Sequence, residues 1–264
     1  MANKDFLTAN PWQVLRQFTG ARIALGRAGG SLPTAPMLEF QLAHARARDA
    51  VHLPLDAAAV VARLAGRGLD SLRVRSAVAN RQEFLQRPDL GRRLDLPSRE
   101  LIQSCAERLA QDFDAVFVIA DGLSPLAAHR HALGVLALAH KALGERGWRL
   151  APVVVAEMAR VALGDEIGEL LRADQVAILI GERSGLSCAD SLGIYLTHAP
   201  RVGRTDAQRN CISNIHADGG LSYVQAAHRL VYLMTEAQRR KLTGVALKDA
   251  SDDVPLLVQP SDSS

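Results

Sequence analysis

Three apolar runs constrain this chain more than any other feature: "DAVFVIADG" at 114–122, "APVVVAEMA" at 151–159 and "QVAILIGER" at 175–183. Each is short, rich in β-branched residues and apolar at nearly every position, the pattern of a strand buried on both faces. Helical segments alternate with them. "SRELIQSCAERLAQDF" puts Leu101, Ile102, Cys105 and Leu109 on one face, with Ser98 as its cap. Ser124 and Pro125 stand at the cap and first-turn positions of a helix reaching about Leu143. "RVALGDEIGELLRA" and "LSYVQAAHRLVYLMTEAQRRKL" read as two more, the last stopped by Gly244. Alternation of this kind predicts an α/β fold, a Rossmann-like parallel sheet domain over 98–250 with helices on both faces.

Residues 1–97 read differently, as a mainly helical N-terminal segment. Thr34 and Pro36 start a helix carrying Leu38, Leu42 and Ala45; Asp56 caps "DAAAVVARLA", and Gly66 ends it. "RQEFLQRPDLGRRLDLPS" is a polar, proline-broken connector that must pack against something, a second chain being one candidate. The tail 251–264 reads as flexible. The first 100 residues hold 15 Lys and Arg against 9 Asp and Glu, the remainder 16 against 19. A basic front suits an acidic protein or a phosphate, but no arginine block with interleaved aromatics marks a nucleic-acid surface. Three cysteines without a CxxC pair argue against a disulfide framework and a four-ligand zinc site. No signal peptide and no apolar run of about 20 residues is present, so no membrane partner is expected and the cytoplasm is the expected location.

In open sheets of this kind ligands sit outside the carboxyl ends of the strands. Three turns meet that description, "ADGLS" (120–124), "AEMAR" (156–160) and "GERSGLSCADS" (181–191), and the loop "RNCISNIHADGG" (209–220) is placed to join them. The glycines do not complete G-x-G-x-x-G, and no Walker A lysine exists. Cys188 and Cys211 are candidate thiol nucleophiles, with His216 five residues from the second; two small thiols packed in turns is the plainer reading. His129 and His131 diverge on a helix and do not chelate. "NIHADG" is one residue away from the D-x-H-x-x-G cobalamin motif but follows the third strand and lacks the orienting carboxylate, which leaves Asn214 as a turn residue satisfying its own loop. Glu182 is a carboxylate directly after a buried strand, costly unless wet, paired or bound to a ligand; Arg183 is its nearest candidate partner.

Taken together, "LRQFTGARIALGRAGGSLPT", "LAHARARDAVH", "FLQRPDLGRRL", "VIADGLSPLA", "VVVAEMARVALGDEIGELL", "GERSGLSCADSLGIYL" and "RNCISNIHADGGLSYVQAAHRL" resemble the small (light) subunit of ethanolamine ammonia-lyase, in order and without large gaps over 12–242. The resemblance implies a lyase active only as a complex with a large subunit. That partner holds ethanolamine in a TIM barrel, and radical chemistry on adenosylcobalamin gives acetaldehyde and ammonia. It further implies that the Rossmann-like domain contributes a wall of the cobalamin site and that residues 1–97 pack on the partner. Carried over position by position, the cofactor contacts fall at Val161, Glu182 and Cys211, with Arg160, Ser213 and Asn214 as neighbours and no catalytic acid or base in this chain. No histidine ligand is implied, because the cofactor keeps its own base. Ser184 departs from the family's "GERPGL" and is expected to loosen that turn. Relatives bound for a bacterial microcompartment carry a longer N-terminal extension, so free cytoplasm is expected over encapsulation. From the residues alone, a stand-alone flavodoxin-like nucleotide or flavin module, or a non-catalytic interaction protein, are the alternatives.

Overall fold

A computed structural model of the chain describes residues 7–217 and 219–256. Asp218 and most of the C-terminal tail, 257–264, lie outside the described residues. In chain order the principal elements are α1 (Thr34–His52), α2 (Ala57–Ala65), β1 (Ser71–Arg75), α3 (Arg81–Gln86), α4 (Leu96–Leu109) and β2 (Phe113–Ala120). Then follow α5 (Leu133–Gly144), β3 (Val153–Glu157), α6 (Leu163–Leu170), β4 (Ala173–Gly181), β5 (Leu192–His198), β6 (Asn210–Ile215) and α7 (Tyr223–Arg240). A two-residue ribbon, Leu7–Thr8 with Arg27–Ala28, precedes α1.

The six strands form one sheet in the order β1-β3-β2-β4-β5-β6. The first four are parallel, as their apolar runs require, but β5 and β6 add antiparallel to the β4 side. The expected parallel sheet is therefore a mixed one. Two reasons explain the difference. "LGIYLTH" follows β4 after a turn too short for a crossover helix, so it can only fold back. "NCISNI" buries only Ile212 and Ile215, three positions apart, so it lacks the strict alternation of a half-buried strand and is easily taken for a loop. The mainly helical N-terminal segment is likewise seen only in part: α1, α2 and α3 are present, but residues 71–75 enter the sheet as its far edge.

The pleat of β2 divides the core. Ala115, Phe117 and Ile119 point to a layer built by α2, α5 and α7; Val116, Val118 and Ala120 point to one built by α4 and α6. Sequence-legible caps hold where chemistry demands them: Asp56 accepts from the Ala59 amide and Ser124 from the Ala127 amide. For α4 the cap is Asp95, which accepts from the Ser98 amide, so the helix begins before Ser98. Before Gly244 is reached, α7 ends at Lys241 in a left-handed conformation.

The helix after β2 lies on one face and the helix after β3 on the other, so the switch point between these strands is where a ligand crevice would open. Here it is plugged from within. Arg81 of α3 bonds Asp121 at 3.1 Å, and the Asp121 carboxylate also accepts from the Met158 and Ala159 amides at 2.9 Å each. Arg81 and Arg160 each stack over the Phe84 ring, 4.5 and 4.1 Å from its centroid. The proline-broken connector thus packs at least in part on its own sheet.

Candidate functional site

With the switch point filled, the open carboxyl-edge surface lies one step across, where β4 passes into β5. Over β5 and β6, α7 covers the face bearing Ile194 and Ile212. On the opposite face α6 reaches β4, and beyond it Tyr195 is half-buried while Cys211 and Ser213 are exposed. Cys211 pairs with Tyr195 in register, which places both side chains on this face. Glu182 continues the parity of Ile178 and Ile180 to the same side, and Val161 packs beside them at the approach to α6. The three residues singled out in sequence therefore share one face of the sheet.

Glu182 is oriented by this chain. Its Oε2 accepts from the Ser191 hydroxyl at 2.5 Å and from the Asn214 amide at 3.3 Å. Its partner is thus a serine and a backbone amide, not Arg183. Oε1 has no hydrogen-bond partner among the described residues and lies over Gly193, where a Cβ would stand 2.8 Å from it. Only glycine at 193 leaves the carboxylate room to lie across β5. Asn214 adopts φ 64°, and its carbonyl accepts from the Leu221 amide while its side chain bonds His216. It satisfies its own loop as the sequence suggested, and in addition presents an amide to Glu182.

The thiols are not set up as nucleophiles. Although the residue is exposed overall, partial desolvation of its thiol raises Cys211 above its ordinary value despite the Tyr195 hydroxyl beside it, and burial raises Cys188, whose Sγ donates to Asp190 at 3.5 Å. The Tyr195 phenol is pushed up to about 12 by burial first, then by Cys211 and Glu182. Cys211 and His216 stand at opposite ends of β6, about 16 Å of extended chain apart, and His216 is turned to Asn214. His129 accepts from the Asp56 amide at 2.9 Å, whereas His131 is buried. Among the described residues no cluster of three metal-ligating side chains exists.

Sequence reasoning missed the clamp on the other side of this turn. Asp190 accepts from Arg130 at 2.8 Å and meets His131 Nε2 at 3.2 Å; His131 Nδ1 bonds the Tyr223 hydroxyl at 2.7 Å. Burial works against the Asp190 carboxylate, but these donors hold it below its ordinary value. His131 lies within a π-helical stretch, Ala128–Ala132. Ser124 and Ser184 both donate to the Ala189 carbonyl at 2.9 Å, so Ser184 ties the turn it was expected to loosen. Arg22, from the N-terminal arm, donates to the Leu186 carbonyl at 3.1 Å. The serine-rich turn was visible in sequence; its long-range partners, 59 to 164 residues away, were not.

Fold and site together define an α/β subunit with a half-open, acceptor-bearing wall at its sheet edge and an N-terminal arm whose apolar side chains face outward. Comparison with known proteins gives the family. Residues 9–248 match the profile described as ethanolamine ammonia-lyase light chain (EutC). The chain is 56% identical over 251 residues to the ethanolamine ammonia-lyase small subunit of Ralstonia nicotianae, covering 95% of this chain and 92% of that one. It is 59% identical over 249 residues to that of Pseudomonas aeruginosa (94% and 90%) and 56% identical over 252 residues to that of Azotobacter vinelandii (96% and 93%). The chain belongs to the ethanolamine ammonia-lyase small-subunit family, and a stand-alone flavin or nucleotide module is not favoured.

Proposed function

We propose that this chain is the small subunit of an adenosylcobalamin-dependent ethanolamine ammonia-lyase, converting ethanolamine to acetaldehyde and ammonia only when assembled with its large subunit. The large subunit holds ethanolamine; this chain supplies one wall of the cofactor site. The observation that carries the reading is Glu182, braced by Ser191 and Asn214 through one oxygen and offering the other, unpartnered, on an uncovered sheet face. The donor chemistry fits. Cobalamin is rimmed by primary amides and a ribose hydroxyl, and an ionised carboxylate accepts from both. Val161 offers methyl and backbone contact at the approach to α6. Cys211, kept neutral, packs or bonds as a thiol. Adenosylcobalamin, when bound, supplies the radical chemistry, while this chain's residues bind and orient it. The outward apolar groups of residues 7–53 dock the large subunit. Among the described residues no helix is long and apolar enough to cross a membrane, and we place the complex in the cytoplasm.

Co-expression with a large subunit tests the reading. Acetaldehyde release should require both chains and adenosylcobalamin, and this chain alone should release none. Tight flavin or nicotinamide-dinucleotide binding by the isolated chain would overturn it. Retention of full cofactor affinity by a Glu182→Ala complex would remove Glu182 from the site and leave the family membership standing.

A further inference from the structure

One face of α1 carries a helix-packing stripe that this chain does not cover. Glu39, Leu42, Ala43, Arg46 and Leu53 share it, at the i, i+3, i+4, i+7 and i+14 spacing by which helices pack on one another. Leu42 is 52% exposed and Leu53 42%. The stripe lines a cavity of about 1070 Å³. On the body side the lining is Leu126, two residues after the Ser124 cap, and the turn from Gly185 to Asp190. Arg22 ties the arm to that turn through the Leu186 carbonyl.

The polar groups on the body side are spent within this chain. The Asp190 carboxylate is taken by Arg130 and His131, the Ala189 carbonyl by Ser124 and Ser184, and the Leu186 carbonyl by Arg22. What the cavity offers an occupant is Leu126 and Leu186 together with Leu42 and Leu53 of α1. The ion pair on α1 is Arg48 with Asp49; Glu39 and Arg46 have none among the described residues. They stand two turns apart, about 10 Å along the axis, and bracket Leu42 and Ala43. A small polar ligand needs several convergent polar groups. An apolar trough with an acid at one end and a base at the other suits a helix instead. The volume agrees: two turns of helix with side chains, about 10 Å across, occupy roughly 850 Å³.

Resting on the reading of this chain as a small subunit, we propose that the cavity is a socket for a short helix of the large subunit. That helix is apolar on the face it inserts and carries a base toward Glu39 and an acid toward Arg46. The contact is of the helix-in-groove kind, anchored at i, i+3, i+4 and i+7. It is distinct from the outer flank of α1, because Phe40 stands about 160° round the helix from Leu42. No flat surface reaches both, so the large subunit grips α1 from two sides.

The experiment uses the two-subunit complex assembled without cofactor, so the wall at Glu182 plays no part. Ala43→Trp fills the socket and Arg46→Glu reverses the charge at one end. Each should weaken subunit assembly about tenfold, read by dilution in the ultracentrifuge. N-ethylmaleimide reads the socket directly through Cys188, which lines it, while Cys105 in the core reports unfolding. Alkylation of Cys188 should be about tenfold faster in the Arg46→Glu complex than in wild type, with Cys105 still unlabelled. Arg46 is exposed, so its variant tests the proposal even if Ala43→Trp fails to fold. Unchanged assembly and unchanged Cys188 labelling in both variants, with Phe40→Glu still weakening assembly, overturn the socket while the subunit reading stands. A dimer of this chain broken by Ala43→Trp, with capture of the large subunit unchanged, gives the socket to a second copy and likewise overturns the proposal. A wild-type chain that assembles with no large subunit overturns the subunit reading itself.

Discussion

Residues 7–53 and residues 57–256 obey opposite rules. In the arm, Trp12, Phe18, Leu38, Phe40 and Leu42 are exposed, Phe18 by 81%, and the buried hydrophobic side chains of α1 are alanines, Ala47 and Ala50. Among the described residues, twelve of the nineteen large exposed apolar ones lie there. In the body, Phe84, Phe117, Ile119 and Leu179 are fully buried, and even the charges are matched: Arg209 grips Asp165 through two bonds of 2.6 Å, both side chains nearly inaccessible. The body folds by burying its own surface, whereas the arm leaves surface for another molecule to cover. A subunit has to be read on both terms.

The contrast is broken most severely by Arg209→Ala, which strands Asp165 in the body and should cost about 3–5 kcal/mol, read as a lowered urea midpoint. Loss below about 1 kcal/mol would mean that the pair behaves as a surface contact. Next is the pH dependence of the plug. Burial raises the Asp121 carboxyl to about 6, against Arg81 and the amides that favour its charge. Folding therefore takes up a proton between about pH 4 and 6, so its contribution is present at low pH and lost as pH rises through about 6. Relative to Asp121→Asn, the wild-type chain should lose up to about 3 kcal/mol between pH 4 and 7, measured as the difference of unfolding free energies at the two pH values. A pH-independent difference contradicts this.

The arm should respond in association and not in folding. Phe40→Glu or Leu38→Glu should shift the chain's own unfolding by no more than about 0.5 kcal/mol yet weaken capture of the large subunit roughly tenfold. Destabilisation without loss of capture would reassign those side chains to the body. The smallest effect belongs to the wall. Ser191→Ala removes one brace from Glu182, and cofactor affinity of the complex should fall severalfold, by about 1 kcal/mol, with subunit assembly unchanged.

Much of this was legible in the chain. The apolar runs that become β2, β3 and β4, the caps at Asp56 and Ser124, and the helix from Tyr223 follow from local chemistry, since each depends on residues within a few positions. The strand at 71–75 was not, because "SLRVR" alternates arginine with apolar residues and gains its place only by pairing with β3. Nor was β6, whose register rests on Tyr195 and Leu192 in β5. At the site, Glu182 could be singled out as a charge placed after a buried strand. That Ser191 and Asn214, not Arg183, would hold it could not.

By itself, then, the sequence determined the α/β alternation and the family, because periodicity, caps and motif order are properties of neighbours along the chain. Only the tertiary structure decided that the switch point is closed by Arg81, Phe84 and Arg160, and that the open wall lies one strand further on. Those outcomes depend on side chains 37 to 76 residues apart meeting across the sheet edge. Which distant groups win such a place is settled by burial and charge summed over the whole fold, and no local window contains that sum.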